Sequence, residues 1–95
     1  MASYRVLIKK SAAKELEEVA GKKDRERIAR RIQALAADPR PSGVEKLSGT
    51  REKYRIRQGN FRIVYEIQDE VLLVYVVRIA DPQAQQLTSV YLQIN

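Results

Sequence analysis

Arginine residues recur at short spacing in one segment of the chain. Within residues 53–67, which read KYRIRQGNFRIVYEI, Arg55, Arg57 and Arg62 alternate with apolar residues. Alternation with a period of two is typical of a strand that has one face against a core and one face in water. A guanidinium stays charged near neutral pH and binds phosphate through paired hydrogen bonds. The segment therefore predicts a cationic surface suited to phosphate.

Two turns divide residues 53–79 into three predicted strands. The sequence Gln58-Gly59-Asn60 contains the glycine and asparagine that tolerate positive φ in a tight reversal, and residues 68–70 form a short polar turn. The residues from Leu72 to Val77 are apolar without alternation, which predicts an interior strand covered on two sides. If the first reversal forms, the three arginines lie together on one face. The opposite face then carries Tyr54, Ile56, Phe61, Ile63, Tyr65 and Ile67.

The composition limits the chemistry that the chain can perform. With 95 residues, the chain is expected to form one domain over residues 1–95. It contains no cysteine and no histidine, so any catalysis depends on Arg, Lys, Tyr or carboxylate side chains, and we expect no metal and no cofactor. The net charge of +6 indicates an anionic partner such as nucleic acid, an acidic protein or a membrane surface, or simply a solvated basic surface.

No segment of the sequence approaches the ~20 consecutive apolar residues of a membrane span. The first ten residues have only a short apolar run and no pattern of a cleaved signal peptide. We therefore expect a cytoplasmic protein that has no membrane partner.

The region before the arginine segment predicts one strand and two helices. The strand spans residues 3–9, and Ser11 is placed to cap a helix that runs to about Ala20. A second helix begins at Lys22 and ends at Asp38-Pro39. Its apolar positions, spaced three or four residues apart, are Ile28, Ile32 and Leu35.

The last fifteen residues, 81–95, predict a third helix. Asp81-Pro82 has the pattern of a helix start, and an apolar stripe follows at helical spacing in Leu87, Val90, Tyr91 and Ile94. The element order β-α-α-β-β-β-α predicts an α+β fold in which two helices pack on a mainly antiparallel four-stranded sheet.

Four short stretches of this chain resemble a known family. They are KLSG at 46–49, YRIR at 54–57, GNFRIVYE at 59–66 and VVRI at 76–79. Together they are similar to toxins of bacterial toxin–antitoxin pairs in the RelE/ParE superfamily, closest to the RelE branch, over about residues 4–79. The resemblance implies a small β/α fold and a cognate antitoxin. For RelE-like members it also implies a ribosome-dependent endoribonuclease that cuts messenger RNA in the A site, without metal or small-molecule cofactor, through attack of the ribose 2′-hydroxyl on the adjacent phosphate.

The resemblance also assigns residues. Arg55 and Arg57 match the basic pair of the family's second strand, and Arg62 matches the arginine of its third. These three are therefore the expected catalytic or phosphate-binding cations, and the alternative is an ordinary basic sheet face. Lys53 and Arg51 extend the patch as RNA-binding residues. Arg78 either contacts RNA or is a solvated residue at the point where its strand becomes exposed. Tyr91 is a catalytic candidate as the family's terminal tyrosine, but its place on the apolar stripe is more typical of a packed core residue.

The C-terminal tail departs from the RelE pattern. Residues 80–86, ADPQAQQ, contain no basic residue where RelE-like chains commonly carry one. Reduced cleavage activity is one consequence, and two other functions stay open: a ParE-like inhibitor of DNA gyrase, and a catalytically degenerate homologue that only binds its antitoxin. In each case we expect the antitoxin to be acidic and partly disordered, and to cover the arginines or displace the helix at 87–94.

Overall fold

The computed structural model of the protein describes residues 3–47, 49 and 52–81. Within these residues two helices and five strands follow one another along the chain, with a short 3₁₀-helix at Asp69–Val71 between the last two strands. The elements are β1 (Arg5–Ile8), α1 (Lys10–Glu17), α2 (Lys22–Ala34), β2 (Glu45–Lys46), β3 (Lys53–Gln58), β4 (Phe61–Gln68) and β5 (Leu73–Ala80).

The strands form one mixed sheet in the order β1-β5-β4-β3-β2. β1 runs parallel to β5, and the other neighbouring strands are antiparallel. The α+β class is confirmed, but the predicted count of four strands was wrong. The additional strand is β2, which pairs Glu45 with Arg55 and Lys46 with Tyr54. Two residues are too few to display a period of two, so β2 left no pattern in the sequence.

Both helices pack against one face of the sheet and enclose the core. Ile28, Ile32 and Leu35 are buried as predicted, and each apolar side chain of this size stabilises the fold by about 1.5–3 kcal/mol when fully buried. The core cluster is Ala12, Val19, Ile28, Ile32, Leu35, Tyr54, Ile56, Ile63, Tyr65, Ile67, Val74, Val76 and Ile79. None of the helices in the described part of the chain has the length and apolar character needed to cross a membrane.

The apolar strand β5 differs from the prediction of cover on two sides. It lies inside the sheet between β1 and β4, and its buried residues Val74, Val76 and Ile79 face the helices. Leu73 and Tyr75 point to the other face and are only half-buried. An unbroken apolar run therefore reflects neighbouring strands on both edges here, rather than a second layer of helices among the described residues.

The helix boundaries also needed correction. α1 begins at Lys10 with Lys9 as its N-cap and no side-chain capping bond, so the predicted cap at Ser11 was wrong. It ends at Glu17 rather than at Ala20, and α2 ends at Ala34, before the predicted stop at Asp38-Pro39. The helix predicted within residues 81–95 lies outside the described residues from Pro82 onward.

Candidate nucleic-acid interface

The turn between β3 and β4 fixes how the arginines face one another. Gln58 pairs with Phe61, so Gly59 and Asn60 alone make the reversal. Gly59 has φ +61°, whereas Asn60 is not among the residues with positive φ. Glycine with positive φ at the first central position matches a type II′ turn. Glycine is required at this position because of the backbone conformation. Space is not the reason, since a Cβ there would meet no atom within 4 Å.

This register brings three arginines to one face of the sheet. Arg57 lies directly opposite Arg62, and Arg55 lies opposite Val64. Residues that oppose each other across antiparallel strands project to the same side. Their alternation partners Tyr54, Ile56 and Ile63 lie in the core. The three guanidinium groups therefore project from the face away from the helices, and we call Arg55, Arg57 and Arg62 the arginine face.

Two members of the arginine face hydrogen-bond to uncharged groups of the turn. Arg57 Nε donates to the carbonyl oxygen of Gly59 at 3.0 Å, and Arg62 Nη1 lies 3.4 Å from the carbonyl oxygen of Asn60. These bonds orient the side chains without cancelling their charges. Like charges directly opposite on two strands repel each other, so an anion placed between Arg57 and Arg62 is favoured.

The third member is paired with a carboxylate that sequence reasoning missed. Glu45, on β2, accepts a hydrogen bond from Arg55 Nη2 at 2.6 Å. The pKa of Glu45 is lowered, first by this hydrogen bond, then by the charge of Arg55 and by a smaller effect of Arg62. The carboxylate thus lies within the field of the arginine face. No sequence pattern could have located it, because it reaches the arginines only through the two-residue pairing of β2 with β3.

Two other predicted site residues lie on the strands beside the arginine face. Lys53 opposes Glu66, and Arg78 opposes Val64 from the β5 side. Arg78 also approaches α1, where its Nε lies 3.8 Å from Glu15 Oε2. Arg51 and Tyr91 fall outside the described residues.

A second charged cluster lies beyond the opposite end of β4. Arg40 Nη2 donates to Asp69 Oδ2 at 2.9 Å, and Arg40 Nε donates to the Tyr54 hydroxyl at 3.0 Å. The hydrogen bonds from Arg40 and Tyr4 lower the pKa of Asp69 to about 2. The cluster ties the loop after α2 to the turn before β5, which is a structural role.

Beside that cluster is a cleft of about 270 Å³ whose acidic lining would repel phosphate. It is lined by Glu52, Glu66, Ile67, Gln68, Asp69 and Glu70. Among the described residues, no group of acidic side chains is arranged to hold a metal ion. The acidic lining makes this cleft unfavourable for phosphate, in contrast to the arginine face.

Comparison with known families agrees with this geometry. The sequence model for the ParE toxin of type II toxin–antitoxin systems, parDE, matches residues 6–85. The chain belongs to this toxin family. The resemblance of its strands to the RelE/ParE superfamily is thereby confirmed. The comparison with curated protein sequences gives no significant match.

Solved structures place this toxin near RelE. The archaeal RelE–RelB complex from Pyrococcus horikoshii OT3 contains a chain that is 27% identical, with a TM-score of 0.75, over 83% of this chain and 94% of that chain. The intact E. coli RelBE toxin–antitoxin complex gives 26% identity and a TM-score of 0.71, over 83% and 96% of the two chains. The isolated E. coli RelE toxin, at 23% identity and a TM-score of 0.70 over 99% and 100%, shares the fold.

Proposed function

We propose that this toxin is a ribosome-dependent endoribonuclease that cuts messenger RNA in the A site without a metal. The observation that carries the proposal is the direct opposition of Arg57 and Arg62 on a rigid two-stranded surface, with Arg55 beside them. Attack of a ribose 2′-hydroxyl builds negative charge on a five-coordinate phosphorus. Fixed cations held by strands stabilise that charge without having to reorganise.

In this proposal Glu45 is the proton acceptor, because the arginines cannot take that role. An arginine stays protonated because its pKa is above ~12. Glu45 is ionised at neutral pH and is held by Arg55 within the arginine face. In the proposed reaction, Glu45 accepts the 2′-hydroxyl proton, the 2′-oxygen bonds to phosphorus, and the bond from phosphorus to the 5′-oxygen breaks as that oxygen takes a proton from water. The products are a 2′,3′-cyclic phosphate and a 5′-hydroxyl. Tyr91 stays an alternative candidate for polarising the 2′-hydroxyl or accepting its proton, on the strength of the resemblance alone.

The test is cleavage on the ribosome. Purified toxin added to translating ribosomes is expected to leave A-site cuts that primer extension detects. Arg62→Ala is expected to abolish them without unfolding the domain, because the side chain extends from the sheet face away from the core. A wild-type protein that leaves mRNA intact at concentrations that saturate the ribosome would overturn the proposal.

A second candidate function is inhibition of DNA gyrase. The family model that matches the chain is the ParE toxin, and the sequence lacks the basic tail of RelE-like chains. A supercoiling assay separates the two targets. Gyrase inhibition with no RNA product would favour the gyrase inhibitor over the endoribonuclease. If expression without antitoxin does not arrest growth, the chain is instead a degenerate homologue that only binds its antitoxin.

The proposed partner is an acidic, partly disordered antitoxin. Several of the similar structures are toxin–antitoxin complexes, including those from Pyrococcus horikoshii and E. coli, and the arginine face offers a surface of complementary charge. Hydrogen exchange of the toxin with and without its antitoxin is expected to show slower exchange in β3 and β4 if the arginine face is covered, or faster exchange in residues 87–94 if that predicted helix is displaced. Unchanged exchange in both regions would contradict this mode of binding.

A further inference from the structure

Among the described residues, no strand pairs with the β1-side edge of β5 beyond Val76. β1 pairs with β5 only up to Ile8 opposite Val76, whereas β5 continues to Ala80. A backbone N–H at such an edge needs another acceptor. Glu15 of α1 supplies one, since its Oε1 accepts a hydrogen bond from the Ile79 N–H at 2.9 Å.

The second oxygen of the same carboxylate reaches a cation. Glu15 Oε2 lies 3.8 Å from Arg78 Nε, and the two side chains are 37% and 50% exposed. Arg78 opposes Val64 on β4, and Val64 opposes Arg55 on β3. Arg78 and Arg55 thus lie in one cross-strand row, about 10 Å apart at strand spacings of ~4.8 Å. A helix carboxylate therefore contacts a cation in the same row as the arginine face.

We propose that Glu15 is a positioning residue that holds Arg78 as a fourth cation of the RNA-binding surface. The proposal rests on the proposed nuclease function. Glu15 anchors to the backbone at Ile79 and meets Arg78 through Nε, so the terminal nitrogens of Arg78 stay available to a phosphate. The distance from Arg55 suits a phosphate next to the one being cleaved. Glu15 itself does not touch RNA and acts through Arg78.

Substitutions at Glu15 separate its two contacts. Glu15→Gln keeps an acceptor for the Ile79 N–H but removes the charge that faces Arg78, so cutting is expected to fall several-fold while the melting temperature stays unchanged. Glu15→Ala also removes the side-chain acceptor of the Ile79 N–H and is expected to lower stability. Glu17→Gln is the matched control, because Glu17 is an exposed carboxylate of the same helix, and it is expected to cut like wild type.

A double-mutant cycle identifies the route of the effect. If Glu15 acts through Arg78, Glu15→Gln is expected to add no further loss to Arg78→Ala. Exchange of the Ile79 amide is expected to be slow in wild type and Glu15→Gln, and fast in Glu15→Ala. Full cutting by Glu15→Gln, or an additional loss in the Arg78→Ala background, would overturn the assignment while leaving the nuclease proposal standing. A wild-type protein that does not cut would remove both.

Discussion

The opposition of Arg57 and Arg62 is unfavourable for the free protein. Two like charges face each other across the strands, and their hydrogen bonds go to uncharged carbonyl groups of the turn. A fold that retains such a pair gains stability when an anion binds between the two side chains. Glu45 lies beside this pair, because its carboxylate accepts a hydrogen bond from Arg55 and the charge of Arg62 also lowers its pKa.

The proposed role of Glu45 as proton acceptor predicts that its substitution reduces RNA cleavage and that the wild-type rate depends on pH. Glu45→Gln is expected to reduce cutting by about 10²–10⁴-fold, the usual contribution of a positioned base. Arg55 holds the pKa of Glu45 below its ordinary value. The carboxylate is charged above that pKa, so the wild-type rate is expected to fall with decreasing pH only below the ordinary carboxyl range. Single-turnover cleavage over a range of pH measures both effects, with Glu66→Gln as the control. An inflection between pH 6 and 8 would contradict the assignment, because the pKa of Glu45 is lowered from the ordinary carboxyl value.

Tyr65 carries a prediction about stability rather than activity. Its buried hydroxyl donates to the Pro39 carbonyl at 2.7 Å, and burial raises its pKa to about 12. Tyr65→Phe leaves that carbonyl without its partner and is expected to lower the free energy of unfolding by about 1–2 kcal/mol in denaturant titrations. Tyr75→Phe, at a half-buried position on the open face, is the control and is expected to be near neutral.

At the scale of elements, the β3–β4 hairpin was predictable and β2 was not. Alternation and Gly59 located both strands and their register, because side chains at period two must divide between core and water. β2 forms only because β3 is there to pair with it, so its contribution of Glu45 depends on tertiary contact. The end of α1 was missed for a related reason: the buried Val19 continues the apolar spacing although the backbone has already left the helix.

The turn itself provides the prediction at this scale. Gly59→Ala forces a Cβ into a positive φ and is expected to destabilise the protein by about 1–2 kcal/mol. Asn60→Ala, whose φ is not positive, is expected to cost less. Thermal unfolding of the two variants makes the comparison, and equal melting temperatures would show that the reversal does not depend on glycine.

At the scale of the whole molecule, the two ends of the described sheet differ in charge. The hairpin end carries the arginine face, and the other end carries a cleft lined by Glu52, Asp69 and Glu70, with Arg40 hydrogen-bonded to Asp69. The bulk charge of +6 predicted an anionic partner but could not show this division, since it depends on which end of each strand a residue occupies. The α+β architecture followed from the order of elements. The positions of Arg51 and Tyr91 stay predictions.

Acid stability is the prediction that belongs to the whole fold. The pKa of Asp69 is about 2, against 3.8 for an unperturbed group, so its contribution is present above the unfolded value and is lost as pH falls through the folded value. Asp69→Asn is expected to lower the melting temperature at neutral pH and to flatten its decline between about pH 4 and 2. Glu70→Gln, on the neighbouring residue, is expected to decline like wild type; a parallel decline of Asp69→Asn would exclude Asp69 as the source.

The two-residue turn at Gly59 and Asn60 also limits how this chain can change in length. Inserting or deleting a single residue between Arg57 and Arg62 would exchange the orientations of Arg62 and Ile63, pushing a charge into the core and an isoleucine into water. The loop at 41–44 follows the contacts made by Pro39 and Arg40, and its length does not determine which face of the sheet a strand side chain occupies. Natural variants of this toxin should therefore gain and lose residues in that loop, while the count between the two arginines stays at four.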